Sequence, residues 1–461
     1  MTPQDPVASV LTALERALFT EYPGRVTGAL PPVNWRRLIV AFSGGLDSTV
    51  LLHAMARLFA NTPSGMEISR HPLLAVHVNH HLQATSDQWQ NHCRAVADAL
   101  GVTLVCLDAR VAASANIEQA ARTERYAAWG DFLQPGDLLL LAHHRDDQAE
   151  TLLYRLLRGR NLSGMPVRRP LGKGDLLRPL LDLPRATLAH FAEVEHLSWV
   201  EDPTNRDIRF ERNFLRHEVL PGLRERWPDV TRHLADAAGR LTEQAAQRDE
   251  WLSRRLRTLQ VLPLPGTLAA LDIPPLLECS EVQQLALLRH WLKIYGFHAL
   301  SSPRLETLLA QLKSPADRQP SLDLAPQHTL QRYRHRLYLV YQPDVLPQPS
   351  CWNLSEPLSL AAGRLEAVVE VSQDHSVLCR GLEQLEVRWR QGGERIRPSG
   401  HAQTKSLKAL FREAGVPHWQ RRGYPLLFSN GDLVAVPGIA VADAFSAREG
   451  WRIRWRPGTG G

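Results

Sequence analysis

The chain has 461 residues, too many for one ordinary hydrophobic core, so two or three domains are expected. Lysine and arginine outnumber aspartate and glutamate by 54 to 48, a mild basic excess that permits a nucleic-acid partner without requiring one. Cys93, Cys106, Cys279, Cys351 and Cys379 are odd in number, widely spaced and without a CxxC, which argues against a disulfide framework, a zinc ribbon or an iron–sulfur site.

The opening MTPQDPVASVLTALERAL reads as a short, charged amphipathic helix and not as a signal peptide. No apolar run approaches the length of a membrane span, so a reduced, soluble, cytoplasmic protein without a membrane partner is the simplest expectation. The apolar run Leu38–Phe42 predicts a buried strand. It breaks into Ser43-Gly44-Gly45-Leu46-Asp47-Ser48 and resumes with helical spacing at Val50, Leu51, Leu52 and Met55. Further strands are predicted at Leu73–Val78, Val102–Leu107 and Asp137–His143, alternating with helices at Ser86–Gly101, Asn116–Leu133 and from Asp146 onward. This alternation predicts an α/β fold, a parallel sheet wrapped on both faces, with ligands at the carboxyl ends of its strands. Both Ser43–Ser48 and His143–Thr151 fall at such ends.

From about Leu223 to Gln342 the pattern is mostly helical, Pro343–Pro357 reads as a Pro-rich linker, and Leu358–Trp455 reads as a small mixed α/β domain. The expected organisation is therefore a nucleotide-binding domain at 1–222, a helical domain at 223–342, a linker at 343–357 and a small basic domain at 358–461.

The Ser43–Ser48 turn is suited to phosphate. Its glycines let backbone N–H groups approach an anion, Ser43, Ser48 and Thr49 add hydroxyls, and the helix dipole favours negative charge. It is not a Walker A loop, because the lysine that would grip the terminal phosphates is missing. A glycine turn with an N-capping side chain also occurs as a plain connection, so the downstream segment carries weight. In HHRDDQAET, Asp146 and Glu150 lie four residues apart and Asp147 and Glu150 three apart, on one helix face. Such carboxylates can hold Mg²⁺ or recognise an ammonium group; complementing the helix dipole accounts for one or two of them. His77, His80 and His81 are expected to make loop hydrogen bonds in preference to binding a transition metal. Cys93 and Cys106, and Trp129, Trp251 and Trp291, are expected at core positions.

Ser43–Ser48 resembles the PP-loop of enzymes that split ATP into AMP and pyrophosphate, with an adenine nucleotide alpha hydrolase-like fold. Taken with HVNHHL (77–82), NIEQAARTERY (116–126), HHRDDQAET (143–151), RPLL (178–181), WVEDPTN (199–205), RNFLRHEVLP (212–221), RQGGERIRP (390–398) and KSLKALFREAGVPHWQR (405–421), the chain resembles the tRNA(Ile)-lysidine synthetase family along nearly its whole length. One departure is a short connection: only Arg160 and Asn161 separate Gly159 from Leu162-Ser163-Gly164-Met165, where the family usually carries a longer Gly-containing loop.

The resemblance implies ligation of free L-lysine to the wobble cytidine of an isoleucine tRNA with a CAU anticodon. ATP adenylates the C2 oxygen of the base, and the amine of lysine then displaces AMP. Ser43, Gly44, Gly45, Leu46, Asp47 and Ser48 would bind ATP, and Asp47 with Asp146 would hold Mg²⁺. Asp47, His143, Asp146 and Asp147 are the candidate catalytic residues. Arg122, Asp147 and Glu150 would bind lysine, with Arg122 on its carboxylate.

Arg178, Arg206, Arg209, Arg212 and Arg216, with Asn205 and Asn213, suit phosphates and unstacked bases, although acidic residues are interleaved as in a solvated surface. The resemblance tips this toward tRNA contact for Arg178, Asn205, Arg212, Asn213 and Arg216. It does the same for Arg390, Arg395, Arg397, Lys405 and Lys408 near the C-terminus. The oligomeric state stays open, with a homodimer admitted. A PP-loop tRNA thiolation enzyme, or a catalytically silent RNA-binding protein, are the alternative readings. The missing CxxC weighs against the first, and the intact loop and carboxylates against the second.

Overall fold

The computed structural model describes residues 5–20, 35–61, 71–80, 86–109, 117–159, 162–298, 300–314, 320–342, 348–360, 362–373 and 376–458. An N-terminal helix, Pro6–Glu15 (α1), precedes an alternating series. The series runs Arg37–Ala41 (β1), Leu46–Asn61 (α2), Leu73–Asn79 (β2), Ser86–Ala99 (α3), Thr103–Asp108 (β3), Ile117–Phe132 (α4), Asp137–Leu140 (β4) and Arg145–Leu157 (α5). A hairpin, Arg168–Leu171 (β5) and Gly174–Leu177 (β6), and a helix, Arg185–Val194 (α6), follow. The strand order is β3-β2-β1-β4-β6-β5; all neighbours are parallel except the β5–β6 hairpin. Leu38, Ile39 and Val40 are fully buried because β1 is central and covered on both faces. Arg37 donates to the buried Asp137 from Nε at 2.9 Å, which ties the starts of β1 and β4 together.

The predicted strands and helices of this region are all present, with ends shifted by a few residues. The apolar periods were strong because one side of each helix is buried, as are both sides of the central strands β1 and β4. The short Arg160–Asn161 connection and His81 lie outside the described residues.

Short helices, Glu211–Phe214 (α7) and Leu220–Arg226 (α8), lead into a long one, Val230–Leu259 (α9), which carries the chain from one compact unit, Met1–Gln247, into a second, Arg248–Gly461. The second unit contains the helices expected there, Ile273–Leu277 (α10), Glu281–Ile294 (α11) and Ser302–Leu312 (α12), and a sheet that the helical pattern did not announce. Its strands are Gln260–Val261 (β7), Thr267–Asp272 (β8), Ser321–Ala325 (β9), His328–Tyr333 (β10) and Arg336–Tyr341 (β11), in the order β7-β8-β11-β10-β9. Two further five-stranded sheets, a two-stranded one and a helix, Leu407–Glu413 (α13), also belong to this unit.

The expected linker is partly a strand. Residues 343–347 lie outside the described residues, but Ser350–Asn353 pairs antiparallel with Gln384–Trp389. Position 343 is also not a clean boundary in packing: Tyr333 donates to Gly415 O at 2.7 Å, Gln420 donates to Pro265 O at 2.6 Å, and Trp419 packs on Tyr333 and Tyr338. Of the tryptophans expected in the core, Trp129 and Trp291 are buried, whereas Trp251 is exposed on the outer side of α9. Among the described residues no helix is long and apolar enough to cross a membrane.

Candidate active site

At the carboxyl end of β1 the chain turns through Ser43–Gly45 into α2. Gly44 has φ +81°, and a Cβ there would stand 2.9 Å from Cys93 Sγ, so both backbone and space require glycine. The turn is held by its own side chains: Ser48 Oγ and Thr49 Oγ1 each donate to Gly45 O at 3.0 Å, and Ser43 N–H donates to Ser48 Oγ at 3.2 Å. Val200 N–H donates to Gly44 O at 2.9 Å, bringing the 199–206 segment against the loop. Ser43, Gly45, Leu46, Asp47 and Ser48 line a cavity of about 610 Å³, together with Asp147, His143, Trp199 and Asn205. That volume is in the range of small-molecule sites.

α5 begins on the other side of this cavity with a capping box. His144 Nδ1 accepts from Asp147 N–H at 3.4 Å, and Asp147 Oδ2 accepts from His144 N–H at 3.0 Å. His144 Nε2 then faces carboxylates, 3.4 Å from Asp147 Oδ2 and 3.7 Å from Asp47 Oδ2. Burial opposes charge on this ring, but Asp147, Asp47 and Asp146 outweigh it and its pKa is raised. Among the described residues Asp47 Oδ1 is buried without a hydrogen bond, with Arg185 Nε 3.7 Å away.

The three expected carboxylates of α5 have different surroundings. Asp146 accepts from Arg185 N–H at 2.9 Å on Oδ2 and from Arg224 at 2.6 Å on Oδ1, so both its oxygens are engaged within the protein. Glu150 accepts from Arg216 Nε at 2.6 Å and from Nη2 at 2.9 Å, and the same Nη2 reaches Asp147 Oδ1 at 2.9 Å. Arg216, expected on RNA, thus sits on the pair expected to bind lysine. Burial works against ionised Asp147, but His144, His143 and Arg216 hold its carboxyl well below the usual range. Burial pushes Glu150 upward despite Arg216.

His143 accepts from Arg178 Nε at Nδ1, 3.2 Å. Burial, with Arg178, Arg122 and Arg212, outweighs Asp147 and pushes its pKa down to about 3. Its free lone pair therefore accepts from a guanidinium in this structure. Arg178 itself is only 3% exposed and also donates to Pro166 O at 2.7 Å, so it braces the interior and is not a surface contact for tRNA. Arg122, half-buried, points its guanidinium at Tyr126, 5.0 Å over the ring.

The remaining RNA candidates separate in the same way. Asn205 is exposed at the cavity, and its carbonyl accepts from His217 at 2.8 Å. Arg212 donates to Thr151 at 3.3 Å, while Asn213 bridges the carbonyls of Thr204 and Asp207 and so staples its own loop. In the second unit Arg395 and Lys408 are exposed. Arg397 pairs with Asp443, Lys405 with Glu413 at 2.8 Å, and Arg390 lies 3.9 Å from Glu394. Sequence reading missed Arg125, Arg185 and His217, all of which line the cavity. Arg125 lies within the quoted NIEQAARTERY, three residues past Arg122, and that spacing was the available signal. His77 Nδ1 lies 2.9 Å from Phe42 O, and His80 accepts from Arg125, so both are held by hydrogen bonds.

Three family models match the chain: a PP-loop domain over residues 20–223, a TilS substrate binding domain over 271–338 and a TilS substrate C-terminal domain over 385–455. The tRNA(Ile)-lysidine synthase of Alkalilimnicola ehrlichii is 40% identical over 423 residues, covering 90% of this chain and 92% of that protein. The chain belongs to the tRNA(Ile)-lysidine synthase family. Another tRNA(Ile)-lysidine synthase, from Pseudomonas syringae pv. tomato, is 39% identical over 459 residues, 95% of this chain and 97% of its own. Among solved structures, the U34-tRNA thiolase NcsA from Methanococcus maripaludis aligns over 52% of this chain and 80% of its own with 14% identity and a TM-score of 0.40.

Proposed function

We infer that this chain is an ATP-dependent ligase that joins lysine to C2 of the wobble cytidine in the CAU-anticodon isoleucine tRNA, releasing AMP and pyrophosphate and working in the cytoplasm. Family membership along nearly the full length carries the reading, and a glycine loop that lines one cavity together with Asp147 supports it.

The residues suit two steps. In the first, Ser43–Ser48 and the N-terminus of α2 cradle the phosphates of ATP while the C2 oxygen of the base attacks the α-phosphorus and pyrophosphate leaves. Asp47 fits a Mg²⁺ contact, because its buried Oδ1 has no hydrogen bond and Mg²⁺ commonly takes one carboxylate plus substrate phosphates. Asp146 would be a second contact only through the lone pairs left by Arg185 N–H and Arg224, which each take one of its oxygens. Bound at Asp47, Mg²⁺ would offset negative charge on the phosphates. In the second step Asp147 and Glu150 hold the ammonium side of lysine and Arg122 its carboxylate, orienting the amine toward C2. Asn205, Arg206 and His217 at the cavity mouth, with Arg395 and Lys408 farther along the chain, are the tRNA contacts.

Replacing Asp47 by alanine tests the assignment. Loss of tRNA-dependent AMP formation with tRNA binding retained is the expected result; unchanged AMP formation would contradict it.

A further inference from the structure

Beside His143, four arginines gather around one tyrosine without a carboxylate. Arg122, on α4, and Arg169, on the edge strand β5, each lie 5.0 Å over the ring of Tyr126. Arg178, at the end of β6, and Arg125, one residue before Tyr126, are close enough for their charges to act on the same group. The hydrogen-bond acceptors found for these guanidiniums are all uncharged: Tyr126 Oη for Arg122, His80 for Arg125, Pro170 O for Arg169, and His143 with Pro166 O for Arg178. Among the described residues no aspartate or glutamate pairs with any of the four, whereas the adjacent Arg168 has Asp175 at 2.5 Å.

Crowded, partly buried cations are costly unless an anion compensates them. The strain shows in their titration. Burial, and then its neighbour Arg122, lowers Arg125; burial, with Arg169 and Arg122, lowers Arg178. Burial would raise the Tyr126 phenol, yet the surrounding guanidiniums bring it down.

The arrangement says which anion fits. Of the four, Arg125 lines the cavity with His143, so the cluster meets the cavity of the glycine loop at that residue. Arg169 is on an edge strand and half-buried, reachable by a polymer passing the sheet edge. A lysine carboxylate on Arg122 would leave three charges uncompensated. A planar guanidinium fork matches phosphate oxygens.

We propose that Arg125 and Arg169, backed by the buried Arg178, form a phosphodiester site that holds the RNA backbone next to the nucleotide being modified. The proposal rests on the tRNA-ligase reading above.

The test uses the full chain and a CAU-anticodon isoleucine tRNA transcript, with filter binding across a salt series. Arg169→Gln and Arg125→Gln should each raise the tRNA Kd about tenfold and flatten the salt slope by about one. Arg169→Lys should recover most of the loss, and the KM for lysine at saturating tRNA should change less than about twofold. A neutral methylphosphonate beside the wobble cytidine should weaken wild-type binding, and Arg169→Gln should add no further loss on that tRNA. Unchanged Kd and salt slope in both glutamine variants would overturn the site. So would a raised lysine KM with unchanged tRNA affinity, which would assign the cluster to the lysine carboxylate. If a variant fails to fold, wild-type protein still decides: equal affinity for methylphosphonates beside the wobble cytidine and in the opposite arm of the stem overturns the proposal. Failure of wild type to attach lysine to this tRNA would instead count against the ligase reading, independently of the phosphate measurements.

Discussion

Arg216 grips Glu150 with two nitrogens, Nε to Oε1 at 2.6 Å and Nη2 to Oε2 at 2.9 Å. Sixty-six residues of chain separate the two, so a helix following the sheet supplies the counter-ion for a carboxylate beside the nucleotide loop. Glu150 is almost wholly covered, its side chain 2% exposed, while Arg216 keeps 33%.

Removing that counter-ion should cost stability. Arg216→Ala is expected to lose about 3 kcal/mol in urea unfolding, the lower end for stranding a buried charge, because Arg216 is itself partly solvated. Arg216→Lys should recover part of it. If Asp147 and Glu150 bind an ammonium, added L-lysine should then raise the melting temperature of Arg216→Ala more than that of wild type. Equal shifts would contradict the lysine assignment.

Asp47 should separate folding from chemistry. Its Oδ1 makes no hydrogen bond to lose and its Oδ2 only a 3.7 Å contact with His144, so Asp47→Asn should melt within a few degrees of wild type. Turnover should fall at least about a hundredfold, the scale for losing an electrostatic contact at a reacting phosphate. A large stability loss with near-normal turnover would reverse the assignment.

Gly44 meets two constraints that can be measured apart. In Gly44→Ala the φ of +81° costs about 1–2 kcal/mol, and the new Cβ also presses on Cys93 Sγ at 2.9 Å. Adding Cys93→Ala should relieve the contact but not the backbone strain, so the double variant should stay less stable than Cys93→Ala alone. Full recovery to that level would mean that crowding is the whole effect.

His143 should leave a signature in acid. Its pKa drops from the usual 6.5 to about 3 on folding, so between those values the unfolded chain binds more protons and stability falls as pH falls. The contribution is complete above pH 6.5 and decreases by about 3 kcal/mol by pH 4. His143→Gln should flatten this part of the pH–stability curve measured by chemical denaturation. An unchanged slope would mean that the ring is protonated in the folded protein.

The doubly wound N-terminal sheet was legible because its strands are continuous apolar runs and its helices keep a clear apolar face; Leu38–Val40 and Val50–Leu52 are completely buried. The sheet of the second unit was not, although RLYLVY is a plain strand run. The β10–β11 hairpin turns at Arg334 with φ +56°, without the glycine or asparagine that usually marks such a turn. At the site, the loop and the acidic helix start were readable because each is local in sequence. The partners that set their roles are not local: Arg216 on Glu150, Arg224 on Asp146 and Arg178 on His143 arise only when distant segments pack. Those partners engage both Asp146 oxygens and leave His143 without a free lone pair, roles that residue type alone could not decide.

The most direct measurement is ATP-dependent incorporation of labelled lysine into the CAU-anticodon isoleucine tRNA, with a transcript carrying uridine at the wobble position as control. Stoichiometric lysine incorporation, AMP and pyrophosphate, all requiring the wobble cytidine, is the expected result. Incorporation indifferent to that base, or AMP formed with no lysine attached, would contradict the ligase reading.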